Sequence, residues 1–454
     1  MTAWERIGKR QHKGIDLPLF ALRSKNSCGV GEFFDLIPLI DWCSELKIDF
    51  IQLLPLNDSG IDPSPYNILS SCALHPRYIS LWKLDKNYPK DLNEKLPWLY
   101  KYYEKWEKND PNFLKFVSEN TWLEAYGQYK SNPPFQNFLQ YLCYTQLVEV
   151  KKYANSKGVF IQGDLPILIA RESVDVTTHT SLFIPNYSAG APPDQYNKNG
   201  QYWGFPIFDW ENHKKDGFAW WKQRIHYAEN FYDIYRIDHV VGFFRIWAIP
   251  LGEKTKNGKF IPENPAEWIP HGQEILKMML NASNMLPIAE DLGTVPLEVH
   301  ACLTELGICG TKVMRWERRW QTDKEYIPLN EYPLLSLTCV STHDSETLTL
   351  WWKNNREEAE LYAKSKGWKY VPDLPLEMRK AILTDSNHTS SLFHCNLLQE
   401  YLALIPELAW GDPEQERINI PGKVLPTNWN YRFRPTVEEI VSHEGLKNVM
   451  RQIL

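Results

Sequence analysis

Residues 232–244 read YDIYRIDHVVGFF, an apolar run of strand type that ends in Arg236, Asp238 and His239. Strand periodicity puts Arg236 and Asp238 on one face, two residues apart. The same design recurs along the chain. Candidate strands lie at 17–22, 50–56, 158–169, 285–292, 311–316 and 337–342, each ending in polar, titratable residues. Amphipathic stretches separate them, as at 35–46, where Leu36, Leu39, Ile40 and Leu46 share a face, and at 138–154. Alternating βα units of this kind predict a parallel sheet. Titratable groups gathered at strand ends predict a (β/α)8 barrel, because its catalytic groups sit at the C-terminal ends of the strands. The expected fold class is therefore α/β, a TIM barrel with mainly helical and loop insertions around its C-terminal face.

The rest of the chain reads as insertions on one catalytic domain spanning 1–454. Residues 81–135, rich in Lys, Glu, Tyr and Trp, predict a helical excursion after the second strand. Residues 171–230 have the Pro, Gly, Asn and aromatic content of a loop too long for a plain connection, which points to a functional loop. Residues 351–400 read as helical. No repeat or low-complexity linker divides the chain.

The length fits one large α/β barrel carrying insertions, and the composition excludes disordered and fibrous classes. The chain has 454 residues and is 43% hydrophobic, enough for a sizeable core. Its 50 Lys+Arg against 56 Asp+Glu leave a net charge of −6, which argues against a nucleic-acid partner. No apolar run approaches the ~20 residues of a membrane helix. The N-terminus shows no export signal, and the eight cysteines lack CxxC pairs or framework spacing, so reduced buried thiols and a cytoplasmic setting are expected. The 19 Trp and 23 Tyr exceed what a core requires. Any single ring is most simply a packing residue, yet so many rings with polar edges suit hydroxyl-rich ligands such as sugars.

Three strand ends carry the candidate chemistry. In the first, Arg236 beside Asp238 favours the ionised carboxylate that a nucleophile needs; a structural ion pair is the alternative. In the second, Ile288-Ala289-Glu290-Asp291, an acid at the end of an apolar strand is placed for burial and like charge to raise its pKa, as a general acid requires. The third is Ser341-Thr342-His343-Asp344. Glycoside chemistry needs a nucleophilic and a protonated carboxyl flanking the scissile bond, and a third carboxylate can stabilise the cationic transition state. A fourth acid, Asp164, ends its own strand and could hold a sugar hydroxyl, orient Arg236 or fill a barrel layer. No His/Asp/Glu spacing calls for a metal, and no cofactor is expected.

Taken in order, several motifs resemble the 4-α-glucanotransferases, the amylomaltase or disproportionating-enzyme family of the α-amylase clan. They are SPYNILSSCALHPRYISL (64–81), KKYANSKGVFIQGDLPI (151–167), GAPPDQYNKNGQYWGFPIFDW (190–210), YRIDHVVGF (235–243), AEDLG (289–293), THDSET (342–347) and RINIPG (417–422). The resemblance spans about Phe20 to Arg434. It implies Asp238 as nucleophile, Glu290 as general acid/base and Asp344 as transition-state stabiliser. It also implies Arg236 as the residue orienting the nucleophile, with His239 and His343 holding hydroxyls of the sugar being transferred. Tyr66 is implied as the stacking tyrosine, Asp164 as its supporting acid, and Trp203 and Asn419 as lining of the donor and acceptor cleft. Ser64, Asp291 and Arg432 read as supporting residues. The implied activity is retaining transfer of α-1,4-glucan segments between maltooligosaccharides, or to glucose, with glycogen or starch-like glucans as further partners.

The chain departs from the family pattern at Pro193-Asp194-Gln195-Tyr196, where one aromatic of an adjacent pair is missing. It departs again at Gly204-Phe205-Pro206, Val240-Val241 and Ser345. None of these removes a catalytic acid. A hydrolase of the same clan, or a catalytically silent glucan-binding protein, are the alternatives. The second would be expected to lack one of the three acids.

Overall fold

The computed structural model describes residues 2–193 and 198–454. Eight parallel strands form one sheet: β1 (His12–Leu17), β2 (Phe50–Leu53), β3 (Phe160–Leu165), β4 (Ile234–Ile237), β5 (Leu286–Ala289), β6 (Gly310–Val313), β7 (Ser336–Cys339) and β8 (Phe393–Leu397). They are laid side by side in the order β5-β4-β3-β2-β1-β8-β7-β6. The ring closes between β5 and β6 through a parallel bridge, Ile288 to Cys309, and a 2.7 Å hydrogen bond from the Ala289 amide to the Cys309 carbonyl. This is the (β/α)8 barrel that the strand pattern predicts.

The strand alternation explains the closure. Inward-facing Phe50, Ile234, Leu286, Ile288, Val313, Leu337, Cys339, Phe393 and Cys395 pack as one apolar cluster inside the barrel. Gly14 is part of that fit, since a Cβ there would come within 2.3 Å of the Phe50 ring. Outward-facing Ile15, Leu17, Ile51, Leu53, Ile161, Tyr235 and Ile237 join a second cluster that extends to Ile453. The covering helices are α1 (Leu36–Glu45), α2 (Pro133–Ser156), α3 (Ala219–Ala228), α4 (Trp268–Ala282), α5 (Leu297–Glu305), α6 (Leu376–Ser386) and α7 (Glu444–Ile453). All eight cysteines are buried free thiols.

Three sequence expectations need correction. The first strand lies at His12–Leu17, not 17–22; Pro18 ends it, and Leu19–Ala21 forms a short 3-10 turn. The segment 351–400 is not only helical, for it contains β8, whose His394 and Asn396 interrupt the apolar run that marks the other strands. The insertion expected over 171–230 ends earlier, because Ala219–Ala228 is a covering helix of the barrel. Among the described residues, β6 and β7 are joined without an α-helix. The excursion after β2 does hold three helices, Leu92–Lys105, Pro111–Glu119 and Trp122–Lys130.

A small antiparallel sheet stands above the C-terminal rim. Tyr187–Ala191 pairs with Ile246–Pro250 on one side and Gln201–Tyr202 on the other. It ties the loop after β3 to the segment after β4, and so fixes residues beside the ends of both strands.

Candidate active site

The site begins with two adjacent rungs. Asp164 on β3 pairs in register with Arg236 on β4, which puts a fully buried carboxylate against a guanidinium. Arg236 Nη1 donates to Asp164 Oδ2 at 2.8 Å and to Asp238 Oδ1 at 3.1 Å, while Nη2 lies 3.6 Å from Glu290 Oε2. One planar cation therefore faces three acids. A point-charge lysine could not share itself that way. Tyr66, from the loop after β2, donates its hydroxyl to Asp164 Oδ2 at 2.6 Å. Burial pushes the Asp164 carboxyl upward, against the pull of Arg236.

Glu290 follows β5 directly. Its two oxygens accept backbone amides, Oε2 from His239 at 2.9 Å and Oε1 from Leu292 at 3.0 Å. The rotamer is thus fixed from both sides. Burial pushes its pKa up to about 7, opposed by Arg236 and reinforced by the charge of Asp238. The like charge is therefore Asp238, not the sequence neighbour Asp291. Asp291 turns the other way, accepting the Thr311 amide at 2.6 Å and pairing with His300 at 2.9 Å. His239 reaches its position only through a left-handed backbone, φ 42°, which costs about 1–3 kcal/mol in a residue with a Cβ. That turn aims its amide at Glu290.

The loop after β7 supplies the third acid. Asp344 Oδ1 accepts Asn419 Nδ2 at 2.7 Å, and the Asn419 amide donates to the His343 carbonyl at 3.2 Å. Its side chain is 46% exposed, against 20% for Asp238 and 14% for Glu290, so it is the acid most open to a ligand. His343 Nε2 lies 3.0 Å from the Tyr66 hydroxyl, and the two rings stack at 5.3 Å. Burial lowers the pKa of both His239 and His343, favouring neutral rings that hydrogen-bond rather than carry charge. Trp203 packs edge-on against His239 at 5.0 Å.

All ten residues singled out from the sequence lie around this one cluster at the strand ends. Ser64 accepts the Tyr66 amide at 3.3 Å, and Arg432 holds the Phe20 and Gly29 carbonyls. The aromatic-pair departure at Asp194, Gln195 and Tyr196 lies outside the described residues. Two neighbours were not anticipated. Trp429, with φ 61°, brings its ring within 5.5 Å of Tyr66 and 5.9 Å of His343. Asp16 is buried inside the barrel, and its Oδ1 has no hydrogen-bond partner among the described residues. Burial, reinforced by Asp164, pushes its pKa up to about 7. The available signal was the Asp at the fifth position of HKGIDL, on the same face as His12 and Gly14.

Carboxyls gathered around one guanidinium, with the rings of Tyr66, Trp203 and Trp429 against His343 and His239, fit an enzyme that cleaves and remakes glycosidic bonds. Comparison with known proteins narrows the class. The family model described as 4-alpha-glucanotransferase matches residues 17–134 and 104–438. The 4-alpha-glucanotransferase of Chlamydia caviae is 43% identical over 98% of this chain and 94% of its own. That of Chlamydia pneumoniae is 42% identical over 100% and 97%. Among solved structures, the amylomaltase from Streptococcus agalactiae in complex with acarbose shares the fold, with a TM-score of 0.81 over 98% of each chain at 24% identity. The chain belongs to the 4-alpha-glucanotransferase family, enzymes that transfer α-1,4-glucan segments. Among the described residues no helix is long and apolar enough to cross a membrane.

Proposed function

We propose that this chain carries out the transfer by double displacement, with Asp238 as nucleophile, Glu290 as acid and base, and Asp344 as stabiliser of the cationic transition state. Asp238 attacks the anomeric carbon, and the bond to the leaving 4-oxygen breaks as Glu290 protonates that oxygen. A glycosyl ester on Asp238 remains. The cleaved piece departs and the 4-hydroxyl of another glucan enters. Glu290, now a carboxylate, takes the proton of that hydroxyl as the ester breaks and a new α-1,4 bond forms. Esterified Asp238 no longer carries the charge that raises Glu290, so the group gives up its proton more readily in the second half than in the first.

The observation that carries this reading is the arrangement at Arg236, bonded to Asp238 and facing a Glu290 whose pKa is about 7. Arg236 holds Asp238 by a hydrogen bond, while Glu290 keeps its proton up to near neutral pH. Around them, Arg236 and Asp164 orient the nucleophile. Tyr66, His239 and His343 hold the sugar being transferred, and Trp203 and Asn419 line the cleft. Transfer over hydrolysis requires that the ester meet sugar before water, and the segment around 190–205 is the candidate screen. Maltooligosaccharides are the expected donors, glucose and glycogen or starch-like glucans further partners, and the cytoplasm the expected setting.

The test is product analysis with maltotriose and purified protein. A ladder of longer oligosaccharides plus glucose is expected, and Asp238→Asn should fold and yield none. Equal maltose and glucose without a ladder would make water the acceptor. Turnover by Asp238→Asn would overturn the nucleophile assignment.

A further inference from the structure

The ladder between β7 and β8 has only two rungs, Leu337 to Phe393 and Thr338 to His394. Beyond them the chain leaves the sheet, and its backbone donors need other partners. Side chains from β8 and the turn after it supply them. The Val340 amide donates to Asn396 Oδ1 at 2.9 Å. Two further donors, the Ser341 hydroxyl at 2.5 Å and the Leu348 amide at 2.8 Å, converge on a single oxygen, Glu400 Oε1. Glu400 is 1% exposed, on the helical turn that follows β8. Ser341 and Leu348 bracket the turn that carries His343 and Asp344. Arg315, in the 3-10 turn that follows β6, donates to the Glu346 carbonyl at 2.9 Å. The turn is held at both ends by one buried carboxyl and, near its C-terminal end, by one buried arginine.

We infer that Glu400 is a positioning residue for catalysis: by fastening both ends of the 341–348 turn it holds Asp344 where positive charge develops on the sugar. The inference rests on the reading of Asp344 as stabiliser. Asp344 also accepts from Asn419, which is buried but leads into the exposed stretch 421–427. Glu400 is the group that fastens both ends of the turn. A stabilising carboxylate loses its effect steeply with displacement, since about 1 Å of misplacement can cost on the order of 100-fold in rate.

The experiment uses Glu400→Leu, Glu400→Gln, Ser341→Ala and Asp344→Asn in the full chain. Steady-state kinetics on maltotriose are combined with the dissociation constant of a cationic iminosugar, 1-deoxynojirimycin, which mimics the charge of the transition state. Glu400→Leu should lower kcat by about 10- to 100-fold with KM changed less than about threefold, and weaken iminosugar binding by a similar factor. Glu400→Gln keeps an oxygen for both donors and should recover most of the rate. Ser341→Ala removes one of the two bonds and should fall between. If the Leu variant fails to fold, the Gln and Ala variants decide. Unchanged kcat and unchanged iminosugar affinity in Ser341→Ala, or a Gln variant as impaired as Leu, would overturn the inference. Asp344→Asn separates this from its premise: if that variant binds iminosugar as tightly as the parent, the role of Asp344 is wrong, whatever Glu400 does.

Discussion

Raising the pH should switch off transfer from a natural glucan while sparing a donor that needs no proton. Glu290 must be protonated to expel a 4-hydroxyl, and burial holds its pKa at about 7 instead of the ordinary 4.5. That difference corresponds to about 3 kcal/mol of preference for the protonated form. In the free enzyme, kcat/KM for maltotriose should therefore level off below about pH 7, then fall about tenfold per pH unit, to about one hundredth by pH 9. With α-maltotriosyl fluoride the leaving group departs as an anion. Because kcat/KM covers only steps through fluoride loss, its alkaline limb should vanish. The assay is initial-rate measurement with both donors, glucose release for the first and fluoride release for the second, from about pH 5 to 9. A maltotriose profile flat to pH 9, or two donors falling in parallel, would refute the acid role of Glu290.

Other perturbations test the network around it. Arg236→Ala leaves Asp164 buried without its cation, and should lower unfolding free energy by about 3–5 kcal/mol in urea titrations; a loss below about 1 kcal/mol would mean the pair is not desolvated. Asp16 binds a proton in the folded chain up to about pH 7, against 3.8 for an ordinary Asp. Its folded form thus holds more protons than the unfolded one in that window, and stability falls as pH rises from about 4 to 7. Asp16→Asn lacks that loss, so its stability relative to the parent should improve between about pH 4 and pH 8, by as much as about 4 kcal/mol. Trp429→Ala removes a ring beside Tyr66 and should raise KM for maltotriose about tenfold, with kcat less affected.

The barrel was legible where strands are apolar runs closed by acids. Ile234–Ile237 and Leu286–Ala289 are of that kind, and the acids that follow them were found with them. It was illegible where strand positions are polar. His12, Gly14 and Asp16 alternate on the inner face of β1, and His394 and Asn396 on the outer face of β8, so neither reads as an apolar strand. The apolar PLFAL that follows β1 is buried loop and 3-10 turn instead. Ligation of Glu290 by the His239 amide depends on a left-handed turn that no residue preference announces. Trp429 and Glu400 are distant in sequence from the loops they touch, and only the closed barrel brings them there. Asp291 shows the converse, since adjacency in sequence suggested a coupling to Glu290 that the alternation of the chain directs elsewhere.

Turnover by double displacement passes through a covalent glycosyl ester on Asp238. Glu290→Gln incubated with α-maltotriosyl fluoride should form that ester without help from an acid and hydrolyse it slowly for want of a base. Trypsin cuts after Arg236 and Arg245, releasing a peptide, residues 237–245, whose one carboxylate side chain is Asp238. Mass spectrometry should find the glycosyl group on that peptide. Fluoride release with no adduct there, or an adduct on the peptide bearing Asp344, would rule out Asp238 as the nucleophile.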